Sequence, residues 1–232
     1  MNDAVNSLTR KRKLRNVLMM FLVALIIIAI LFVAAGNLAW VWGWWLAGIM
    51  IAANIFSICF LDPGLIDERT GVKSGAKRWD IVLASIIGRF GPLAAIIISG
   101  LDFRYGWSQP VPLPLSVFGL AFLILSYALI FWAMRENRFF SSIVRIQQER
   151  GHHVITTGPY RIVRHPGYLG SVIFLLALPF ALASYWALLP AIGTSILLCI
   201  RIVLEENTLK RELEGYAEYA KKVRYRIIPG IW

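Results

Sequence analysis

Runs of about twenty apolar residues, separated by short polar segments, restrict this chain to a membrane more strongly than any other feature of its sequence. A helix needs about 20 such residues to cross the hydrocarbon core of a bilayer. Four runs approach or reach that length, at 16–35, 40–60, 81–100 and 113–134. The last apolar stretch is too long for one helix, and a break at Ala183-Ser184-Tyr185 divides it into a hairpin of 168–183 and 186–203.

The composition supports the same conclusion. Of the 232 residues, 58% are hydrophobic and 16% are charged, whereas an average soluble domain is about 45–50% apolar and about 25% charged. A compact soluble chain could not hide so much apolar surface, and disorder or a disulfide scaffold is excluded as well. We therefore predict an all-α integral membrane protein of about six transmembrane helices, with a helical C-terminal tail over 207–219.

The basic residues indicate an orientation. The net charge is +11, and with these spans 22 of the 24 Lys and Arg fall on one side of the membrane. Only Arg104 lies on the other side, and Arg89 lies within a span. The positive-inside rule then predicts that both termini and the long polar segments are cytoplasmic. Because an anionic leaflet explains the basic excess, we expect membrane lipids as partners and no nucleic acid.

Three further residues have local interpretations. Cys59 and Cys199 both lie in apolar runs, as expected of reduced packing residues, and their spacing predicts no metal site. Arg89 is an intramembrane charge, which is a functional hypothesis by default. It either pairs with a carboxylate on a neighbouring span or lines a cavity for an acceptor.

The polar segment 135–167 is where we expect the chemistry. It holds all three histidines of the chain, His152, His153 and His165, and runs into the first arm of the hairpin as G-H-H-V-I-T-T-G-P-Y-R-I-V-R-H-P-G-Y-L-G. The Gly-Pro and His-Pro steps mark turns. Glycine lets a backbone approach a ligand closely, while His and Tyr supply hydrogen-bond donors beside apolar surface.

A second polar group lies where the last span ends. The sequence there is R-I-V-L-E-E, from Arg201 to Glu206. Arg201 and Glu205 are four residues apart and share one helix face. The pair is interpreted either as a salt bridge at a helix end or as part of a site, and both can hold.

Together these two segments resemble the isoprenylcysteine carboxyl methyltransferase family, a broad group that takes in phospholipid N-methyltransferases. The resemblance rests on G-H-x-V-I-T-x-G-x-Y-x-x-x-R-H-P-x-Y-x-G, on R-x-x-x-E-E in the last span, and on G-Y-x-x-Y in the tail. It covers roughly 135–232 and implies an integral membrane methyltransferase that uses S-adenosylmethionine. We accordingly predict a four-helix membrane region over 1–134 and a catalytic region over 135–232.

The resemblance also assigns residues. The family's cofactor pocket maps onto His152, His153, Val154, Ile155, Tyr160, His165, Pro166, Gly167, Tyr168 and Glu205. Arg201 matches the position that holds the acceptor's carboxylate, and with Glu205 and Glu206 it makes up the predicted catalytic group. The family's glutamine upstream of the first histidine corresponds to Gln147 or Gln148, at a different spacing.

The chemistry of the cofactor agrees with this assignment. S-adenosylmethionine carries a sulfonium, an ammonium, a carboxylate and a flat adenine. Glu205 and Glu206 can face its cations, while the polar side chains of His152, Tyr160 and His165 can bind its carboxylate or ribose. A carboxylate acceptor needs no general base, whereas an amine or thiol acceptor would have to lose a proton to His165 or Glu206.

The sequence therefore favours methyl transfer to a lipophilic acceptor, which is a small molecule or a prenylated group. A carboxylate of the prenylcysteine type is preferred because of Arg201. A phospholipid amine is the second choice, and a lipophilic thiol remains open. Two other classes are a membrane oxidoreductase of the sterol-reductase type, which would bind NADPH, and a scaffold without catalytic activity.

Overall fold

A computed structural model describes residues 2–69 and 74–232 of the chain, so Lys73, one of the basic residues counted above, lies outside it. The described residues are helical and contain no strand, which confirms the all-α fold. The α-helices are α1 Asn2–Ala35, α2 Val41–Phe60, α3 Pro63–Glu68, α4 Arg78–Ser85, α5 Gly91–Tyr105, α6 Leu113–Glu136, α7 Pro166–Ala181, α8 Leu188–Glu212 and α9 Tyr216–Lys222.

The structure supports a multi-pass membrane protein. Five helical stretches are long and apolar enough to cross a membrane, namely Leu14–Ala35, Val41–Phe60, Arg78–Tyr105, Leu113–Glu136 and Leu188–Glu212. The remaining predicted span is α7, which has only 16 residues. At 1.5 Å per residue this helix is about 24 Å long, less than the ~30 Å hydrocarbon core. The prediction of about six spans is thus met by five long helices and one short one.

The C-terminal boundaries differ from the prediction. Helix α8 continues to Glu212, so it takes up the first half of the tail helix expected over 207–219. Gly215, with φ of 78°, then turns the chain before α9 begins. Only glycine adopts this left-handed conformation without a steric cost, which explains why the tail forms two helices. Pro190 lies in the first turn of α8. Backbone N–H groups there have no acceptor within the helix, so the missing N–H of proline costs no hydrogen bond.

The third span is interrupted near its middle. A π-helical turn over Ile86–Phe90 joins α4 to α5. Pro92 follows directly and has no N–H for the carbonyl four residues earlier, which accounts for the local change of the helical ladder. Arg89 lies in this turn, where it is exposed. None of the ion pairs among the described residues includes Arg89. Arg89 lines a cavity among the spans, and its role towards an acceptor stays a prediction.

Close backbone contact holds α6 against α7. A Cβ placed on Gly119 would lie 2.4 Å from the backbone nitrogen of Ala181, and one on Gly170 would lie 3.0 Å from the carbonyl oxygen of Ser126. Small residues at helix crossings are the usual means of association in membranes, where dispersion replaces the hydrophobic effect. The fully buried Leu123 and Leu178 complete this contact.

We expect Gly119→Ala to destabilise the protein by about 1–3 kcal/mol, the typical cost of overpacking. The added methyl meets backbone, which cannot move aside as a side chain can. The thermal unfolding midpoint in detergent measures the effect. Gly193→Ala in α8 is the matched control because its Cβ meets nothing within 4 Å. An equal midpoint for the two variants would contradict the role of Gly119.

Candidate functional site

One cavity gathers both motif segments. It lies between the loop that follows α6, the end of α8 and the tail helix α9. Ten of the twelve predicted site residues line it, namely His152, His153, Val154, Ile155, Tyr160, His165, Gly167, Tyr168, Arg201 and Glu205. Pro166 and Glu206 lie outside the lining. The structure therefore brings together residues that are up to 53 positions apart in the sequence (152 to 205), while their roles stay predictions.

The cavity is narrow. Its volume is about 120 Å³, below the ~300 Å³ at the lower end of pockets for drug-sized ligands. A nucleotide-sized ligand would therefore have to displace side chains at the mouth. His153 is exposed there, with its ring edge against Phe139 at 5.0 Å between centroids. Its Nδ1 also lies 3.0 Å from the carbonyl oxygen of Gly151.

His152 is held as a neutral donor. Its Nδ1 accepts the backbone N–H of Gln147 at 3.3 Å, and its ring stacks on Phe139 at 4.5 Å between centroids. Burial lowers the pKa of His152 to about 4, and the charges of His153, Arg145 and Arg150 act in the same direction. Since Nδ1 is an acceptor in the neutral ring, Nε2 carries the hydrogen. His152 can therefore offer one N–H to an anionic or carbonyl group in the cavity.

Glu205 carries the unbalanced negative charge of the lining. Its Oε2 accepts a hydrogen bond from the hydroxyl of Tyr168, a neutral donor. None of the ion pairs among the described residues involves Glu205. A carboxylate held by a neutral donor keeps its full charge, so this wall of the cavity attracts a cation.

Glu206 points away and serves the fold. It is 1% exposed, and its two oxygens accept hydrogen bonds from Arg164 and from Arg226, the latter at 2.8 Å. Nε2 of His165 lies 3.4 Å from Oε1 of the same carboxylate. These contacts bind the segment before α7 and the C-terminal tail to α8. Because both oxygens of Glu206 already accept hydrogen bonds from arginines, the carboxylate is poorly placed to act as a general base.

Arg201 pairs with Asp80 of α4, whereas the sequence pattern placed Glu205 opposite it. Its Nε and Nη2 donate to the two Asp80 oxygens at 2.6 and 2.8 Å, and Nη2 also reaches the carbonyl of Ser142 at 2.8 Å. Asp80 is fully buried and also accepts the N–H of Val144 at 2.6 Å. A bidentate pair of this kind is stronger than an i,i+4 pair on one helix.

Three tyrosines form a wall of the cavity. The hydroxyl of Tyr219 donates to the carbonyl of Tyr160 at 2.7 Å, and that of Tyr216 lies 3.5 Å from Nε2 of His165. Asn137 donates to the Tyr160 hydroxyl at 3.2 Å. Burial is the main cause that raises the pKa of all three phenols, so they stay neutral at physiological pH. They provide flat apolar faces with fixed hydroxyls.

Sequence reasoning missed much of the lining. The residues not predicted are Asn137, Phe139, Phe140, Ser141, Ile143, Val144, Arg145, Arg164, Leu209, Leu213, Tyr216 and Tyr219. Several of them belong to 135–150, ahead of the histidine motif, where the sequence shows no periodicity. Neither candidate glutamine lines the cavity. Gln147 is fully buried and its side chain donates to the carbonyl of Phe139 at 2.7 Å, whereas Gln148 is exposed. Its backbone N–H orients His152 instead.

A larger cavity adjoins this one among the membrane helices. Its volume is about 710 Å³, and it shares Phe140, Ser141, Ile143, Tyr168 and Arg201 with the smaller cavity. Its walls come from most of the spans and include Met50, Leu175 and Leu198 on the apolar side. An apolar molecule lying in the bilayer could thus present a polar head to the smaller cavity.

We expect the thermal unfolding midpoint to fall as the pH decreases from about 6.5 towards 4. The unfolded chain protonates His152 near 6.5, whereas the folded protein resists until about 4. Between these values the unfolded state binds more protons, so acid destabilises the fold. His152→Asn should flatten this slope and His153→Asn should keep most of it. The same slope in wild type and His152→Asn would contradict the burial of a neutral His152.

The comparisons with known proteins agree with this geometry. A model of the isoprenylcysteine carboxyl methyltransferase family matches residues 119–211, from α6 to α8. The chain is 33% identical over 112 residues to protein-S-isoprenylcysteine O-methyltransferase B of Arabidopsis thaliana, covering 47% of this chain and 57% of that protein. It is 32% identical over 105 residues to a probable protein-S-isoprenylcysteine O-methyltransferase of Oryza sativa subsp. indica, covering 38% of this chain and 47% of that protein.

A relative with a different name matches as well. The chain is 27% identical over 136 residues to a Delta(14)-sterol reductase of Mus musculus, covering 53% of this chain and 32% of that protein. The chain spans about half the length of the two plant proteins it matches. The family model matches residues 119–211, and this region contains both motif segments.

Proposed function

We propose that the protein is an integral membrane methyltransferase. Its residues 119–211 match the model of the isoprenylcysteine carboxyl methyltransferase family. Its methyl donor would be S-adenosylmethionine, and its acceptor a carboxylate on a lipophilic group of the isoprenylcysteine type. The observation that carries the proposal is the pair of adjoining cavities. The small polar one contains both motif segments, and the large one reaches among the spans and shares Tyr168 and Arg201 with it.

The smaller cavity fits the charges of the donor. Glu205 lies in its wall without an ion pair among the described residues, which suits a sulfonium or ammonium. The neutral His152 has an N–H to donate to a carboxylate or ribose, and the tyrosines offer flat faces to an adenine. The bound donor would supply an electrophilic methyl group. Gly167 supports the fit. A Cβ at this position would lie 2.5 Å from the ring of Phe140, so any other residue would push that ring from its place in the cavity wall.

The residues of the chain would act mainly by positioning. Glu205 would fix the cationic part of the donor, and the shared wall around Arg201 would hold the acceptor at the junction of the two cavities. Bringing two reactants together in a water-poor site can supply about 7–11 kcal/mol of the barrier. A carboxylate acceptor needs no base, which suits a site where the oxygens of Glu206 already accept from Arg164 and Arg226.

We further propose that the site faces the cytoplasm. The donor is water-soluble, and the loop and tail that surround the smaller cavity carry half of the 24 basic residues, including Arg138, Arg150, Arg161 and Lys221. Cytoplasmic loops carry such an excess. Cysteine labelling of a single Cys placed in the 135–150 segment, from either side of sealed vesicles, tests this orientation.

Methyl transfer in nanodiscs tests the function directly. The protein is incubated with methyl-labelled S-adenosylmethionine and N-acetyl-S-farnesylcysteine, and the product is treated with alkali. An ester releases labelled methanol, whereas an N-methylated lipid does not. Release that depends on both the protein and the farnesylcysteine supports the proposal. Alkali-stable label in phosphatidylethanolamine would assign the protein to the phospholipid N-methyltransferases instead.

The sterol-reductase alternative is favoured by the similarity to the mouse protein over 136 residues. NADPH carries several phosphate charges, however, and the uncompensated carboxylate of Glu205 in the smaller cavity repels an anion. Calorimetric titration with NADPH separates the two functions. Binding of NADPH without binding of S-adenosylhomocysteine would overturn the methyltransferase proposal.

A further inference from the structure

A second guanidinium, which no motif contains, lies beside the junction of the two cavities. Arg69 caps the C-terminal end of α3 and lines the larger cavity. Its Cζ lies 5.1 Å from the centre of the Phe140 ring, and Phe140 lines both cavities. Arg69 is therefore one aromatic ring away from the smaller cavity.

The guanidinium groups of Arg201 and Arg69 differ in whether a carboxylate balances their positive charge. Arg201 makes two hydrogen bonds to the buried carboxylate of Asp80, so its charge is balanced. None of the ion pairs among the described residues includes Arg69. The neighbouring carboxylate of Glu68 is bound by Arg145, at 2.8 and 2.9 Å. Arg89 also lines the larger cavity and is in none of these ion pairs, but it lies in the π-helical turn of the third span. The excess positive charge beside Phe140 therefore belongs to Arg69.

Arg69 keeps that charge under physiological conditions. Burial lowers the pKa of Arg69 to about 10; the charge of Arg201 adds to this effect and Tyr168 opposes it. The side chain is thus cationic at neutral pH, and the residue is partly buried. A partly buried guanidinium without a carboxylate is costly, and an anionic ligand would relieve this cost.

The backbone around Arg69 is fastened to Arg201 through one residue. The hydroxyl of Ser142 donates to the carbonyl of Arg69 at 3.2 Å, and the carbonyl of Ser142 accepts from Arg201 at 2.8 Å. Ser142 lines the larger cavity between them. The backbone of Arg69 and the guanidinium of Arg201 are therefore linked through Ser142 on one wall.

We propose that Arg69 binds the carboxylate of the acceptor, with Arg201 held in place by Asp80 as the second part of the same anion site. The acceptor class that fits is an amphiphile with one apolar chain, which occupies the larger cavity, and one anionic head beside Phe140. This inference rests on the proposed function for the identity of the head as a methyl acceptor.

Equilibrium binding tests the proposal without turnover. The probes are N-acetyl-S-farnesylcysteine and its carboxamide, which differ by one charge, bound to the full protein in phosphatidylcholine nanodiscs. We expect wild type to prefer the carboxylate by about 10-fold or more, as for hydrogen bonds to charged groups. Arg69→Gln should lose this preference and bind the carboxamide as wild type does. Arg69→Lys should keep a preference, and Arg135→Gln, on α6 outside the larger cavity, should behave as wild type.

The outcomes separate the two proposals. Unchanged affinity for S-adenosylhomocysteine shows that Arg69→Gln is folded. Retention of the carboxylate preference in folded Arg69→Gln overturns the role of Arg69, whether or not methyl is transferred. Preference in wild type without any methyl transfer overturns the proposed function and leaves the anion site standing. If phosphatidylglycerol added to the nanodiscs abolishes the preference, Arg69 binds lipid phosphate, and the acceptor proposal is overturned.

Discussion

Glu205→Gln is expected to weaken binding of S-adenosylmethionine by about 30-fold or more, which corresponds to the ~2 kcal/mol at the lower end for removing one partner of a desolvated charge pair. The substitution keeps the size of the side chain and its hydrogen-bonding capacity towards Tyr168, while removing the unbalanced negative charge of the cavity. Isothermal titration calorimetry of the protein in detergent measures the dissociation constant. The proposed donor has two cationic groups, so a neutral wall loses attraction for both.

The demethylated product separates these two groups. S-adenosylhomocysteine lacks the sulfonium charge but keeps the ammonium. If Glu205 faces the sulfonium, Glu205→Gln should weaken the methylated form more than the product. Equal losses would place the carboxylate beside the ammonium instead. Glu212→Gln, also on α8 but paired with Lys77 at 2.7 Å, is the control and should bind both as wild type does. Unchanged affinity in Glu205→Gln would remove Glu205 from the donor site.

The site could be predicted from the sequence as far as its motif segments extend. The fixed spacing from His152 to Tyr168 reflects local turns, and these are properties of neighbouring residues. A separate R-x-x-x-E-E segment placed Glu205 at the end of a span. Both segments line one cavity. Helices α7 and α8 are joined by a short connection at the ends away from the site, so the end of α8 returns to the start of α7.

The contacts across the fold could not be predicted in the same way. The partner of Arg201 is 121 positions away, at Asp80, and no local pattern relates them. Glu68 and Arg145 are 77 positions apart and form another buried pair. Their choice of partner depends on the rotation of each helix in the bundle, which the apolar composition of the spans leaves undetermined. The nearly uniform hydropathy of the spans identifies the helices, but it does not indicate which side of each helix faces its neighbours.

The difference at α7 has a physical cause of the same kind. The apolar stretch extended to 183, and the sequence predicted a span from 168. In the structure, Pro166 begins the helix, and Ala183, with φ of 53°, lies just after its end. The observed helix has 16 residues, as many as the predicted span 168–183, but it lies two positions earlier. Hydropathy measures the total apolar length but not where a backbone turn ends the helix.

Asp80→Ala is expected to destabilise the protein by about 3–5 kcal/mol, the usual cost of leaving one buried charge without its partner. Asp80 is 0% exposed and Arg201 is 6% exposed, and their two hydrogen bonds join α4 to α8. The N–H of Val144 loses its acceptor in the same variant. Denaturant titration in mixed micelles measures the free energy of unfolding. An effect below about 1 kcal/mol, the range of exposed pairs, would contradict the burial of the pair.

The chain supplies its own control for this expectation. Lys77 and Glu212 join the start of the same α4 to the end of the same α8, at 2.7 Å, but their side chains are 30% and 40% exposed. Glu212→Gln should therefore cost less than about 1 kcal/mol. In the double variant Asp80→Ala with Arg201→Met, no unpaired charge is left buried, so part of the lost stability should return. Recovered stability with a reduced preference for a carboxylate acceptor would show that the guanidinium of Arg201 itself contributes to binding, since packing would then have been restored without it.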